Sequence, residues 1–286
     1  MKVVVVGLGL IGGSIALELR EKLEAEVFGM DKNQAHLDQA AQLGLIDGVY
    51  EFEDLHQADV VVLAIPVDGI ADLLPKVLDV VSEDALVFDV GSTKVNIARS
   101  VEDHVKRKCF VAAHPIAGTE NSGPSAAHIG LFESKVNIIC DKDKSADRAL
   151  TRAMRIFHIL GMRTIFMNSE EHDKHIAYVS HISHISSFML GKTVLEIEKD
   201  EKHIFDMAGS GFESTVRLAK SSPKMWSPIF AQNKENILCA LDSYIENLQE
   251  FRALIAAEDR DGMRESMQET NHIKSVLKGI QNIQKI

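Results

Sequence analysis

The run Val3-Val4-Val5-Val6-Gly7-Leu8-Gly9-Leu10-Ile11-Gly12-Gly13-Ser14 constrains the fold more than any other stretch of the chain. Four consecutive β-branched valines suit a strand buried on both faces of a parallel sheet. Gly7, Gly9 and Gly12 then fall in the G-x-G-x-x-G spacing. The first permits a tight turn, the second a close approach of backbone to a pyrophosphate, and the third close packing of the following helix on the strand. At the start of that helix, around Leu10 and Ile11, unpaired N–H groups and the positive dipole end favour phosphate. Ile11, Ile15, Leu19 and Leu23 recur at helical spacing, and a second strand, Glu26–Met30, ends at Asp31, 19 residues after Gly12. An acid there accepts hydrogen bonds from a ribose 2′-hydroxyl and repels a 2′-phosphate. The pattern predicts a site for NAD rather than NADP, built on Gly7, Gly9, Leu10, Ile11, Gly12 and Asp31. The plain alternative is a glycine-rich turn beside a surface Asp; the strand before and the helix after it argue against that.

Buried-strand segments recur at 59–65, 86–90, 109–113, 135–140 and Arg163–Met167. Helical segments alternate with them at 34–43, 67–81, from 91–94 onward, and at 146–160. This predicts the α/β class: a Rossmann-type dinucleotide-binding domain over 1–168, with a mostly parallel sheet covered on both faces. From Ser169, a candidate N-cap, helical segments follow at 169–198, 200–208, 211–220, 226–257 and 259–282. They predict an all-α C-terminal domain over 169–286, too small and apolar to leave its faces bare, and hence a homodimer formed through it. No flexible Gly/Ser tract separates the two parts, which predicts a continuous interface.

The bulk numbers exclude several classes. A chain of 286 residues has room for one large or two ordinary domains. A net charge of −11 argues against nucleic-acid binding. No apolar run reaches the length of a transmembrane helix, so no membrane span is expected. The apolar start could mimic a signal peptide, but it has no A-x-A-like cleavage site, so a cytoplasmic protein is expected. Cys109, Cys140 and Cys239 fit neither a metal spacing nor a disulfide framework and predict buried free thiols.

Ligands in open α/β sheets bind beyond the carboxyl ends of the strands, which selects 91–94 and 114–120. Ser92 offers a hydroxyl and Lys94 a charge; an N-cap and a surface lysine are the plain alternatives. His114 can act as a base near neutral pH, or be a loop histidine satisfied by backbone. On one continuous helix His172 and His175 share a face, with His181 and His184 on the opposite face, so the four cannot meet one metal ion. Arg217, after a glycine-rich stretch, can clamp a carboxylate or form a surface ion pair. The single Trp226 suits a core or an interface.

Taken together, the glycine-rich opening, Asp89-Val90-Gly91-Ser92-Thr93-Lys94, His114-Pro115-Ile116-Ala117-Gly118-Thr119-Glu120, Ser180-His181-Ile182-Ser183-His184, the 211–217 segment and Trp226 resemble the prephenate dehydrogenase family. The resemblance runs over nearly the whole chain. It implies oxidative decarboxylation of prephenate to 4-hydroxyphenylpyruvate in tyrosine biosynthesis, with hydride passing to NAD. His114 would take the proton of the ring hydroxyl, and Ser92 would bond near that histidine and the nicotinamide. His184 would contact substrate, with His181 supporting it, and Arg217 would bind a substrate carboxylate. Glu120 would gate the pocket mouth, and Trp226 would reach the site across a dimer. Two positions depart from the family pattern: Ser183 replaces a Pro, and Ser214 stands where an Asp is common, which removes a partner of Arg217 or Glu120. Arogenate is the alternative substrate, with His184 slightly favouring prephenate. A silent NAD-binding sensor is the alternative class, and β-hydroxyacid dehydrogenases share the fold type. No chorismate mutase segment is expected before residue 1 and no regulatory domain after Ile286, so feedback by tyrosine would act at the active site.

Overall fold

The computed structural model describes residues 1–199 and 203–283. The chain divides into two compact units, Met1–Asn233 and Lys234–Ile286. The first opens with strand β1 (Lys2–Val6), helix α1 (Leu10–Leu23), β2 (Glu26–Met30), α2 (Gln34–Gln42), β3 (Gly48–Val49), β4 (Val60–Leu63), α3 (Val67–Val80) and β5 (Leu86–Asp89). It continues with α4 (Val95–Arg99), β6 (Phe110–Pro115), β7 (Val136–Cys140), α5 (Asp147–Ile159) and β8 (Arg163–Met167). The strands lie in one sheet in the order β3-β2-β1-β4-β5-β6-β7-β8. All neighbouring pairs are parallel except β6 with β7, so β7 and β8 run against the rest.

Alternation along the strands divides the core into two layers. Val3 and Val5 of β1 join Ile15 and Leu19 of α1 and Ala153 and Phe157 of α5 on one face. Val4 and Val6 join Ile70, Leu74 and Val77 of α3 on the other. The four valines are at most 6% exposed, which explains their lack of a polar alternate position. Pro75 sits inside α3 without ending it, because the buried stripe Ile70, Leu74, Val77, Leu78 outweighs one lost backbone bond. The strand order reverses direction at β1 and β4, which places a crevice at their carboxyl ends.

The sheet is followed by α6 (Ser169–Ile176), a π-helical turn (Ala177–His181), α7 (Ile182–Glu198), α8 (Ser210–Val216) and α9 (Pro223–Gln232). Trp226 and Ile229 of α9 pack into the core layer that holds α3. The second unit consists of α10 (Lys234–Ala256), α11 (Arg260–Thr270) and α12 (Ile273–Ile283).

Several expectations are corrected. The N-cap of α6 is Asn168, not Ser169: the Asn168 side chain accepts from Glu171 N, and the Glu171 carboxylate accepts from Asn168 N. The Ser169 hydroxyl instead donates to the Asp141 carboxylate. The span 169–198 is interrupted by the π-helical turn, and 226–257 breaks at Asn233. The expected helix at 200–208 lies partly outside the described residues, and the remainder holds a short 3₁₀ turn, Ile204–Met207. Cys109 and Cys140 are buried, but Cys239 is exposed, because α10 buries Ile237 and Ala240 and turns Cys239 away from them.

Candidate active site

The glycine-rich turn has the shape its spacing predicts. Gly7 has φ +95°, and a Cβ there would stand 2.6 Å from the Ala64 carbonyl oxygen just past β4. A Cβ on Gly12 would lie 2.0 Å from Gly7 O, so helix and turn touch through bare backbone. A Cβ on Gly9 would meet nothing within 4 Å, so that glycine is not required by packing within the protein. Gly9 caps α1 without a side-chain bond, and the first turn of the helix holds no acid. Leu10 and Ile11 therefore begin a helix whose positive end has no anionic group of its own. Asp31 follows β2 directly; it accepts from Leu8 N at 3.0 Å and Asn33 N at 2.9 Å, and lies 3.3 Å from His36 Nδ1. An open cradle at a helix N-terminus with a carboxylate beyond the second strand fits a dinucleotide with a free 2′-hydroxyl.

Further along the same edge, β6 extends to Pro115, so His114 lies within the strand rather than in the loop after it. His114 is 8% exposed, and its Nδ1 is 2.8 Å from His172 Nε2. Its pKa lies well below the ordinary histidine value, chiefly because burial disfavours the cation, with His172, Lys94 and His181 adding to the effect. Its imidazole is therefore neutral at neutral pH.

Lys94 is no surface residue. It is fully buried and ion-paired with Asp89, and its Nζ also donates to the Ala113 carbonyl at 2.7 Å. Asp89 in turn accepts from Gly91 N at 2.9 Å and Ala113 N at 3.2 Å. The pair thus ties the end of β5 to β6 one residue before His114. Ser92, half-buried in the same turn, has no hydrogen-bond partner among the described residues and is not a helix cap; α4 starts after Lys94.

His181 and His184 both meet Trp226, but the other face expectations fail. His172 is buried and His175 exposed, so the first pair does not act together. The π-helical turn Ala177–His181 winds less per residue than an α-helix. It brings His181 round toward the His172 side, where each histidine depresses the pKa of another. His181 is lowered to about 4, mainly by burial. Its Nδ1 lies 3.2 Å from Asn233 Nδ2, and its ring meets Trp226 edge-on. His184 stacks on Trp226 with ring centroids 3.5 Å apart, and its Nδ1 is 3.0 Å from the Ser180 carbonyl. Burial lowers the His184 pKa, opposed by that carbonyl. Trp226, expected to reach across a dimer, makes these contacts within its own chain. Arg217 Nη1 meets Glu120 Oε2 at 3.3 Å, while the Ser214 hydroxyl donates to Gly211 O, so Glu120 partners Arg217 where the Asp is missing. Glu120 is held below the usual carboxylate range, first by its own backbone N–H and then by Arg217.

Sequence reasoning missed Asp89, His172, Asp173 and Asn233 as parts of this group. A charged residue inside the apolar strand Leu86–Asp89 was the available signal for the first. Asn233 Nδ2 donates to the Asp173 carbonyl at 2.6 Å, a tertiary contact that left no trace in spacing.

A nucleotide cradle at one point of a sheet edge and a buried neutral histidine at another define an α/β dehydrogenase architecture. Two family models match: the nucleotide-binding domain of prephenate dehydrogenase over residues 15–166, and the prephenate dehydrogenase dimerization domain over 168–269. The chain belongs to the prephenate dehydrogenase family. It is 29% identical over 280 residues to a cyclohexadienyl dehydrogenase of Zymomonas mobilis, covering 96% of each chain. Prephenate dehydrogenase from Aquifex aeolicus, solved with hydroxyphenyl propionate and NAD+, superposes with a TM-score of 0.89 at 32% identity, covering 97% of this chain and 98% of that one. Arogenate dehydrogenase from Synechocystis gives a TM-score of 0.77 at 26% identity, covering 97% of this chain and 100% of that one.

Proposed function

We propose that this protein is an NAD-dependent prephenate dehydrogenase, active as a homodimer. The observation that carries the proposal is His114: a buried, neutral imidazole at the carboxyl end of β6, on the edge that also bears the glycine-rich turn. The NAD+ bound to the Aquifex aeolicus relative supports the cofactor. Gly7, Gly9, Gly12 and the N–H groups at Leu10 and Ile11 would cradle its pyrophosphate, and Asp31 its ribose. Bound NAD supplies the hydride acceptor.

The chain's own residues supply base and grip. His114 takes the proton of the ring hydroxyl as the O–H bond breaks, and loss of carbon dioxide leaves an aromatic ring. Aromatisation drives the reaction downhill, so the protein mainly positions substrate and provides an unprotonated base. Ser92, in the turn after β5, would bond near His114 and the nicotinamide. Arg217 binds a substrate carboxylate, exchanging Glu120 for it, and His184 contacts the side chain with His181 and Trp226 behind it. Function divides between a nucleotide-binding domain over 1–168 and a substrate and dimerisation domain over 169–286.

One observation supports arogenate as a second substrate. His184 donates from Nδ1 to Ser180 O, which leaves Nε2 as an acceptor, suited to an ammonium group. Absorbance at the NADH band with prephenate or arogenate, each with NAD or NADP, tests both readings. Reduction of NAD by prephenate with 4-hydroxyphenylpyruvate as product is the expected result. Turnover of arogenate alone would move the substrate, and silence with all four combinations would reject the enzyme.

A further inference from the structure

The proposed chemistry uses neither His172 nor Asp173, yet both are buried directly behind His114, at 1% and 2% exposure. Asp173 Oδ1 accepts from Lys94 N at 2.8 Å, and Oδ2 from Val95 N at 2.9 Å. Oδ1 also stands 2.7 Å from His172 Nδ1. All three partners are nitrogens, and the two backbone ones are obligate donors, so the carboxylate is an acceptor toward His172 as well. His172 therefore carries its proton on Nδ1 and a lone pair on Nε2. That lone pair faces His114 Nδ1 at 2.8 Å, which must then be the protonated nitrogen of His114. His114 Nε2 is left unprotonated.

The arrangement is held from three elements. Asp173 and His172 sit on α6, and Asp173 caps the backbone at the start of α4. Asn233, just past α9, donates to the Asp173 carbonyl and so fixes this turn of α6. The charged and titratable groups acting on the two imidazoles are His181 and Lys94 for His114, and Asp173, Lys94 and Asp89 for His172.

We propose that His172 and Asp173 are positioning residues that lock His114 in its Nδ1–H tautomer, with Nε2 presented as the proton acceptor. This rests on His114 being the base. The order is carboxylate, imidazole, imidazole, so the second histidine carries the orienting effect of the acid across a distance that one hydrogen bond would not span.

The test is long-range ¹H–¹⁵N correlation spectroscopy on histidine-labelled enzyme, joined to kcat, KM and kcat/KM against pH. His172→Leu removes the acceptor. His172→Gln keeps one, since its amide oxygen can accept from His114 while its NH₂ donates to Asp173. The wild-type resting enzyme is expected to show the His114 proton on Nδ1. His172→Leu should mix the tautomers and lower kcat by about 10²-fold, within the range set by an acid–base group of wrong protonation. It should move KM for prephenate and NAD less than about threefold, because uniform binding is untouched. His172→Gln should restore the tautomer and most of the rate. Should His172→Leu fail to fold, His172→Phe removes the acceptor while keeping an aromatic ring and gives the same reading. A His114 proton on Nε2 in the wild type, or wild-type tautomer and kcat in His172→Leu, overturns the proposal. Wild-type protein inert toward prephenate but with the stated tautomer, lost in His172→Leu, would overturn the functional reading and leave only the tautomer lock supported.

Discussion

At the scale of residues, the site depends on two side chains whose removal should read differently. His114→Asn removes the base and is expected to lower kcat by about 10²–10⁴-fold while leaving NAD affinity unchanged, measured by turnover and by NAD titration. A sensor that needs only the nucleotide would keep its response in this variant. Arg217→Ala should raise KM for prephenate by roughly 10–100-fold, since a hydrogen bond to a charged group contributes about 1.5–3 kcal/mol. It should leave thermal stability nearly unchanged, because its pair with Glu120 is half-exposed. Of these residues, His114 and Arg217 were legible because each lies in a motif at the edge or end of a predicted element. Lys94 was left open between a charge at the site and a surface lysine, because only Asp89 and the Ala113 carbonyl, both brought in by neighbouring strands, give it a reason to be buried. His172 was seen, but its partner across 58 residues was not.

At the scale of elements, the glycine-rich turn separates packing from binding. Gly12→Ala forces a Cβ against the Gly7 carbonyl and should destabilise the fold by at least about 1–3 kcal/mol in chemical denaturation. Gly9→Ala meets no protein atom, so stability should stay within about 0.5 kcal/mol while NAD affinity falls. The buried histidines give a pH signature. His114, His172 and His181 all have folded pKa values below the ordinary one, so the unfolded chain binds more protons as pH falls past about 6.5. Their contribution is intact above that pH and is lost below it, continuing for His181 down to about 4. Melting temperature should therefore drop between pH 7 and pH 5, and His181→Asn should flatten the slope. The parallel strands were legible from their apolar runs, whose period and length are local properties. The π-helical turn was not, because one surplus residue in Ala177–His181 is absorbed by tertiary contacts of His181, and a constant angle per residue put that histidine on the wrong face.

At the scale of the whole molecule, the sheet was predictable as mostly parallel, but the reversal at β7 was not. A strand written Val136–Cys140 reads alike in either direction, and the loop that leads into it decides. In the second unit, Leu238, Ile245, Leu248 and Ile255 of α10 and Ile273, Val276 and Leu277 of α12 are exposed on the single chain. Apolar helix faces of this kind suit a second copy, in line with the family's dimerization domain. Ile245→Glu with Leu248→Glu should shift the protein from dimer to monomer in sedimentation velocity. The buried Lys94 has a last consequence. An amine with no exposed surface, held by a carboxylate and a carbonyl, is shielded from acylating reagents that reach surface lysines. Its chemical modification would wait for β5 and β6 to part, which makes the labelling rate of this one amine a clock for the opening of the sheet.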